Sequence, residues 1–439
     1  MEKISATFKV NTHMFIGGPK STNEEMGKKE IPEIRPPSIK GALRFWWRAI
    51  VYAEIVSKMG EKSALAELHK RESHLFGGVS EGNDGALASK ILIKVRNVHI
   101  RRRDSRQNVI MDYKVDDEQL AVNNGLKYLL GQGLYSVKTS SITRRFVIPE
   151  THFDLDLGIK RNVSEADKLS VLKALECFGL LGALGSRARK GLGSVQLVKC
   201  DHESINVTQT KNDYLQKVVA LFSNSAVCKS KPLFSAFTAH TAAYYLSARS
   251  ANAILEQAGK KMFAYRSNGY KSKDGKHTID GSLLANSPFK HDHVDLADTI
   301  QHHGSKIEQY RKAVFGLPIN LPKNNNSYKN DMTVEPVNKR GESTDSRRAS
   351  PLLLHVHHVG GEYIGIYTLF GGHFLPDYFD VQVTSKKQQT ISIEKAPDFK
   401  EILDFLSITF HLEHKNGSSQ RYDAFEPLFI GDGFKEVNV

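Results

Sequence analysis

The sequence predicts an α+β fold, with helices on one face of antiparallel sheet, and three observations carry that reading. Ile4 to Ile16 alternates: Ile4, Ala6, Phe8, Val10, Met14 and Ile16 fall on one side and Ser5, Lys9, Asn11 and His13 on the other, as in a half-buried strand. Pro36-Pro37 then stops extended structure, and Ser38 is placed to cap a helix from about Ile39 to Lys58. A second helix opens at Ser164, with Asp167 at the reciprocal capping position and Leu169, Leu172, Leu175 and Phe178 at helical spacing.

Between these helices, Ser89 to Ile100 and Arg145 to Asp156 read as strands, and Ser194-Val195-Gln196-Leu197-Val198 alternates as another. The order strand, helix, two strands, helix, strand fits a single α+β layer pair. Asn206 to Gly259 reads as mostly helical. Segments 266–281 and 320–346, rich in Asn, Lys, Gly and Ser, read as polar loops expected to be mobile in the free protein. A short internal echo joins the halves: Leu75-Phe76-Gly77-Gly78 followed by the strand from Ala88-Ser89 matches Val314-Phe315-Gly316-Leu317 followed by Ala349-Ser350. At 439 residues two or three domains are expected. The division is placed at residues 1–205 and 206–439.

Lys and Arg total 61 against 48 Asp and Glu, a formal charge of +13, which favours a phosphate-rich partner. Three scattered cysteines, Cys177, Cys200 and Cys228, give neither a disulfide framework nor a zinc knuckle. No apolar run reaches the ~18 residues of a membrane span, and the opening Met-Glu-Lys-Ile-Ser reads as a strand, not a signal peptide. The expected compartment is the cytoplasm.

The segment Gly179 to Gly193 places glycines with Arg187, Arg189 and Lys190 between a helix and a strand. Glycine lets backbone N–H groups approach a ligand, and the cations supply charge for a polyanion. The plainer alternative is a glycine-eased turn whose cations face water. On the helix after Pro37, Ile39, Leu43, Trp46, Ile50 and Ala53 form an apolar stripe, and Lys40, Arg44 and Arg48 form an adjacent basic one. Like charges stacked at i, i+4 and i+8 repel, so an anion is expected to relieve them. Trp47 falls between the stripes, where it either stacks on a base or packs inside. Arg101–Arg103, Arg144-Arg145 and Arg347-Arg348 add cations beside strands, lining a groove or guarding an edge.

Catalytic signatures are scarce. Gly17-Gly18-Pro19-Lys20-Ser21-Thr22 lacks a phosphate loop's spacing, and Pro19 removes a donor. His291-Asp292-His293 with Asp295, then His302-His303, has metal-ligand chemistry but also reads as a partly exposed polar helix. Alternation splits the run His355-Val356-His357-His358 between two faces. His13 is the one residue offered as an acid–base group for metal-independent RNA cleavage. No metal, cofactor or catalytic residue is expected.

The run Ile34-Arg-Pro-Pro-Ser-Ile-Lys-Gly-Ala-Leu-Arg-Phe-Trp-Trp-Arg48, with His74-Leu-Phe-Gly-Gly78, Gly185-Ser-Arg-Ala-Arg-Lys-Gly-Leu-Gly193, Phe315-Gly-Leu-Pro318 and Arg347-Arg-Ala-Ser-Pro351, resembles the RAMP superfamily of CRISPR proteins. Within it, the chain is most similar to the family of the first-named subunit of the Cmr complex, the type III-B effector. The resemblance implies two ferredoxin-like, RRM-related domains and a place in the head of a ribonucleoprotein, near the 3′ end of guide RNA and its paired target RNA. Neighbouring head and backbone subunits are the implied protein partners. It also implies a non-catalytic RNA-binding cap, with Lys40, Arg44, Trp47, Arg48, Arg187, Arg189 and Lys190 as RNA contacts. A guide-processing endoribonuclease and a scaffold touching RNA only peripherally are the alternatives.

Overall fold

A computed structural model of the chain describes residues 1–17, 32–79, 86–99, 124–136, 138–266, 270–271, 277–279, 282–283, 290–321, 331–340, 342, 347–385, 390–414 and 419–435. The first half runs β1 (Glu2–Val10), α1 (Pro36–Met59), α2 (Glu61–Phe76), β2 (Ile91–His99), α3 (Asn124–Leu130), β3 (His152–Ile159), α4 (Glu165–Leu181) and β4 (Val195–Cys200). Its sheet has the order β2-β3-β1-β4, with every neighbouring pair antiparallel.

The second half contains α5 (Lys211–Ser223), β5 (Thr241–Ala248), α6 (Ala251–Arg266), α7 (Lys290–Gln301), β6 (Met332–Asn338), β7 (Leu352–Val359), β8 (Glu362–Phe370), β9 (Phe379–Ser385), α8 (Lys400–Ser407) and β10 (Glu426–Ile430). Its main sheet, β7-β8-β5-β10, repeats the first arrangement: a strand, a helix, a hairpin, a helix and a closing strand, again antiparallel throughout. β6 and β9 pair in a separate five-stranded sheet.

The echo in the sequence has a structural counterpart. Gly77 and Gly316 both have positive φ, +82° and +121°, and a Cβ on either would approach the backbone nitrogen of a serine, Ser89 or Ser350, to 3.1 Å. Each serine leads into the edge strand of its sheet, β2 or β7. Phe-Gly is therefore a tight stop against the same strand start in both halves, and glycine is needed because a side chain has no room there.

Two large apolar clusters hold the molecule together, and neither belongs to one half. Phe8 stacks on Phe153 at 5.5 Å and meets Phe178 at 5.2 Å, and the same cluster continues to Ile364, Ile366 and Phe370. The other joins Phe15 and Leu192 to Tyr367 and Phe405. Burial on this scale, at about 25 cal/mol per Å² of apolar surface, makes the contact between halves a core and not a surface encounter.

Several sequence expectations are corrected. The helix α1 begins at Pro36 after Arg35, with no side-chain cap. Proline suits a first turn whose N–H has no helical partner, so Ser38 lies inside the helix. Leu169 on α4 is half exposed, although Ser164 does accept a hydrogen bond from the Asp167 N–H. β3 starts at His152, not Arg145, because Pro149 and the positive φ of Glu150 interrupt extended pairing. The helical reading of Asn206 to Gly259 misses β5, an alanine-rich inner strand of the second sheet. Segment 320–346 contains β6, whose Met332, Val334 and Val337 are buried against β9. Within 266–281, Arg266 ends α6, and Tyr270-Lys271 pairs with His277–Ile279. Asn320 and Leu321 pair with Thr333 and Met332 of β6; residues 267–269, 272–276, 280–281, 322–330, 341 and 343–346, with Arg101–Arg103 and residues 18–22, lie outside the described residues. Among the described residues, no helix is long and apolar enough to cross a membrane.

Candidate nucleic-acid interface

The glycine-rich loop is fastened to the fold on several sides. Ser186 N–H donates to the Phe15 carbonyl at 2.7 Å, Leu184 N–H to Gly193 at 2.9 Å, and Leu354 N–H of β7 to Arg189 at 2.9 Å. Thr12 Oγ1 donates to the Gly191 carbonyl at 2.7 Å. Gly193 has φ +67°, and a Cβ there would lie 2.0 Å from the Leu184 carbonyl oxygen; at Gly185 it would lie 2.5 Å from that of Phe15. The glycines thus admit neighbouring backbone, and the side chains between them carry the charge.

Those side chains line a cleft of about 770 Å³ between the halves. Arg187, Arg189 and Lys190 come from the loop, Arg266 from the end of α6, and Arg347 and Arg348 from the segment before β7. None of the described residues lining it is acidic. Arg187 Nε donates to the Leu130 carbonyl at the end of α3, 3.0 Å away, from a left-handed backbone at φ +63°. Burial lowers the Lys190 amine to about 7, with Arg266 and Arg187 adding repulsion. Burial, then Arg348, lowers Arg189 to about 10. Five guanidinium groups and the Lys190 amine converge without a counter-carboxylate among the described residues of the lining, a costly arrangement that a bound polyanion would relieve.

A smaller cavity of about 250 Å³ adjoins it, sharing Arg189, Arg347, Arg348 and Ser350 with the cleft. Arg48 of α1 lines this second space. One member of the helical basic stripe therefore meets the loop, and the other two do not. Lys40 Nζ donates to Ser89 Oγ at 2.7 Å, and Arg44 Nε to Glu72 Oε1 at 2.6 Å. Arg48 NH1 also lies 3.5 Å from Glu72 Oε1. The anion that relieves Arg44 and Arg48 is thus the buried carboxylate of Glu72 on α2.

Trp47 is corrected outright. It is 0% exposed, its Nε1 donates to Ser170 Oγ at 2.8 Å, and its ring meets Phe76 edge-on at 6.0 Å. No base can reach it. Arg144 is exposed and Arg145 partly buried, and neither lines the cleft or the smaller cavity. Arg266, Phe45 and Phe234 were missed because their positions depend on the docking of one half against the other.

His13, His355 and His357 are buried in the fold. His13 is buried rather than on a polar strand face, meets Phe146 edge-on at 4.9 Å, and has its imidazole pushed down to about 4 by burial. His355 Nδ1 faces the Gly182 carbonyl at 2.9 Å, which can only accept, so this nitrogen carries the proton. His355 Nε2 then accepts from His357 Nδ1 at 3.4 Å, and His357 Nε2 from Thr208 Oγ1 at 3.2 Å. His358 sits on the opposite face, 2.9 Å from Lys9 Nζ. Asp292 is buried and accepts from the Lys312 N–H at 2.9 Å. The side chains of His291 and His293 lie outside the described residues, and the described residues hold no cluster suited to a metal.

Residues 7–196 match the RAMP superfamily model. The chain is 25% identical over 371 residues to the CRISPR system Cmr subunit Cmr1-1 of Pyrococcus furiosus, covering 80% of this chain and 85% of that protein. A crystal structure of Cmr1 from Pyrococcus furiosus in its apo form is 19% identical, with 86% of this chain and 90% of that one aligned and a TM-score of 0.45. A chain in the type III-B Cmr-beta complex bound to cognate target RNA is 13% identical, with 92% and 98% aligned and a TM-score of 0.47. Over residues 7–196 the chain is thus similar to the RAMP superfamily, and over most of its length to a CRISPR subunit. It resembles the first-named subunit of the type III-B Cmr complex.

Proposed function

We propose that this protein is a non-catalytic RNA-binding subunit of a cytoplasmic type III-B CRISPR effector, built from two ferredoxin-like domains that hold RNA in the cleft between them. The observation that carries the reading is the convergence of Arg187, Arg189, Lys190, Arg266, Arg347 and Arg348 on one cleft. The repeated strand–helix–hairpin–helix–strand order supports the two-domain description. Resemblance to the Cmr subunit supports the assembly, with guide RNA, target RNA and neighbouring Cmr subunits as partners. A cleavage role for His13 draws no support from a buried imidazole held neutral at physiological pH.

Backbone-held single strands bind with an affinity that falls as roughly the 0.7 power of salt per phosphate contact. Replacing Arg187, Arg189 and Lys190 together by Ala is expected to weaken binding of a short single-stranded RNA and to flatten the plot of log affinity against log salt by about two units. A slope equal to that of the unaltered protein would remove the cleft from the interface.

A further inference from the structure

We infer that the smaller cavity beside the cleft is a subsite for one unstacked nucleobase of a bound RNA strand; this rests on the cleft being the RNA site. Aromatic rings are more concentrated on its walls than on the cleft's, where Phe315 and Tyr367 stand among aliphatic side chains. Phe45, Phe234, Phe370 and Pro351 line it together with the guanidinium groups of Arg48 and Arg189. Phosphate alone has no use for three phenyl rings, whereas a base offers a flat apolar face to rings and guanidinium planes.

Arg189 joins the two spaces. Its guanidinium lies 5.4 Å over Phe45, NH1 donates to the Ser350 carbonyl at 2.9 Å, and NH2 to Ser235 Oγ at 3.2 Å. The plane is fixed by two hydrogen bonds and a ring, and it borders both cavities. A base entering the smaller cavity stacks beside this plane while its own phosphate stays among the cleft cations. Every base has such a face, so the subsite selects an unpaired nucleotide and not a sequence. The aromatic role assigned to Trp47 from the sequence thus passes to a ring two residues earlier, on a different side of α1.

The test uses the full chain and a labelled single-stranded RNA of about ten nucleotides in which each position in turn is made abasic. One position is expected to lose about tenfold or more in affinity, in the range measured for aromatic–base stacking. Phe234→Ala should cost a similar factor, leave the salt slope unchanged, and abolish the penalty of the abasic position. Phe234 also packs against Tyr52, so a 2-aminopurine scan of the unaltered protein serves as an independent readout, with the expected change in fluorescence at one position. If the salt slope stands but no abasic position costs more than twofold and no 2-aminopurine responds, the base subsite is wrong and the cleft reading survives. If binding is insensitive to salt, the cleft reading itself is wrong. Unchanged RNA binding by Phe234→Ala, with loss of association to a neighbouring subunit, would make the cavity a protein contact and overturn the proposal.

Discussion

Single residues show how a correct pattern acquires a different use. Trp46 and Trp47 both face inward, the first toward Phe237 at 6.2 Å and the second onto Ser170. A helical wheel places Trp47 at the boundary of the apolar stripe, but α2 and α4 pack on α1 and bury that boundary as well. Trp47→Ala is expected to destabilise by about 3–5 kcal/mol through the cavity it leaves. Trp47→Phe should cost about 1 kcal/mol from the lost hydrogen bond together with some packing. Urea unfolding measures both. RNA affinity per folded molecule should stay within twofold of the original, and a specific loss in Trp47→Phe would return the ring to the interface.

Glu72 explains why three evenly spaced cations do not act alike. It lies on α2, 24 and 28 residues from Arg48 and Arg44, so nothing local in the sequence announces the pairing. Arg44 is engaged at 2.6 Å, whereas Arg48 is held loosely and keeps a place in the smaller cavity. The loop arginines were legible because glycine, Arg and Lys occur together in sequence. Arg266, by contrast, gave no signal beyond opening a segment that reads as polar loop.

At the level of elements, the loop's shape depends on backbone contacts that exclude a β-carbon. Gly193→Ala puts a methyl group against the Leu184 carbonyl in a left-handed conformation, and a loss of about 2 kcal/mol or more is expected. The variant should also bind RNA less tightly than an exposed control such as Arg144→Ala, as measured by anisotropy on the folded fraction. Indifference to Gly193→Ala would mean that the loop reshapes freely. In the first half β1, α1, β2, β3, α4 and β4 were readable because their apolar period is visible, whereas the mostly polar α2 and the seven-residue α3 were not read. β5 and β6 were hidden for opposite reasons: β5 is alanine-rich and buried, which mimics a helix, and β6 alternates within a polar window whose average reads as loop.

Across the whole molecule, burial of imidazoles ties stability to pH. His13 and His355 are lowered from 6.5 to about 4 and about 3, chiefly by burial, and His357 moves the same way. Below pH 6.5 the unfolded chain takes up protons that the folded chain refuses, so stability is complete above that pH and falls as the solution is acidified. By pH 5 each of the two should have lost about 2 kcal/mol. The urea midpoint at pH 5 should therefore lie well below that at pH 7.5, and identical midpoints would show that these rings are solvated.

Arg189 reaches from the glycine loop to Ser235 and Ser350, and its carbonyl accepts from Leu354. A polypeptide ending soon after Cys200 would keep the full superfamily signature, all three loop cations and the Leu130 carbonyl that engages Arg187, yet lose every one of these partners of Arg189. Homology of that segment by itself therefore does not transmit the arrangement of cations in the cleft. Only chains that retain both halves inherit it.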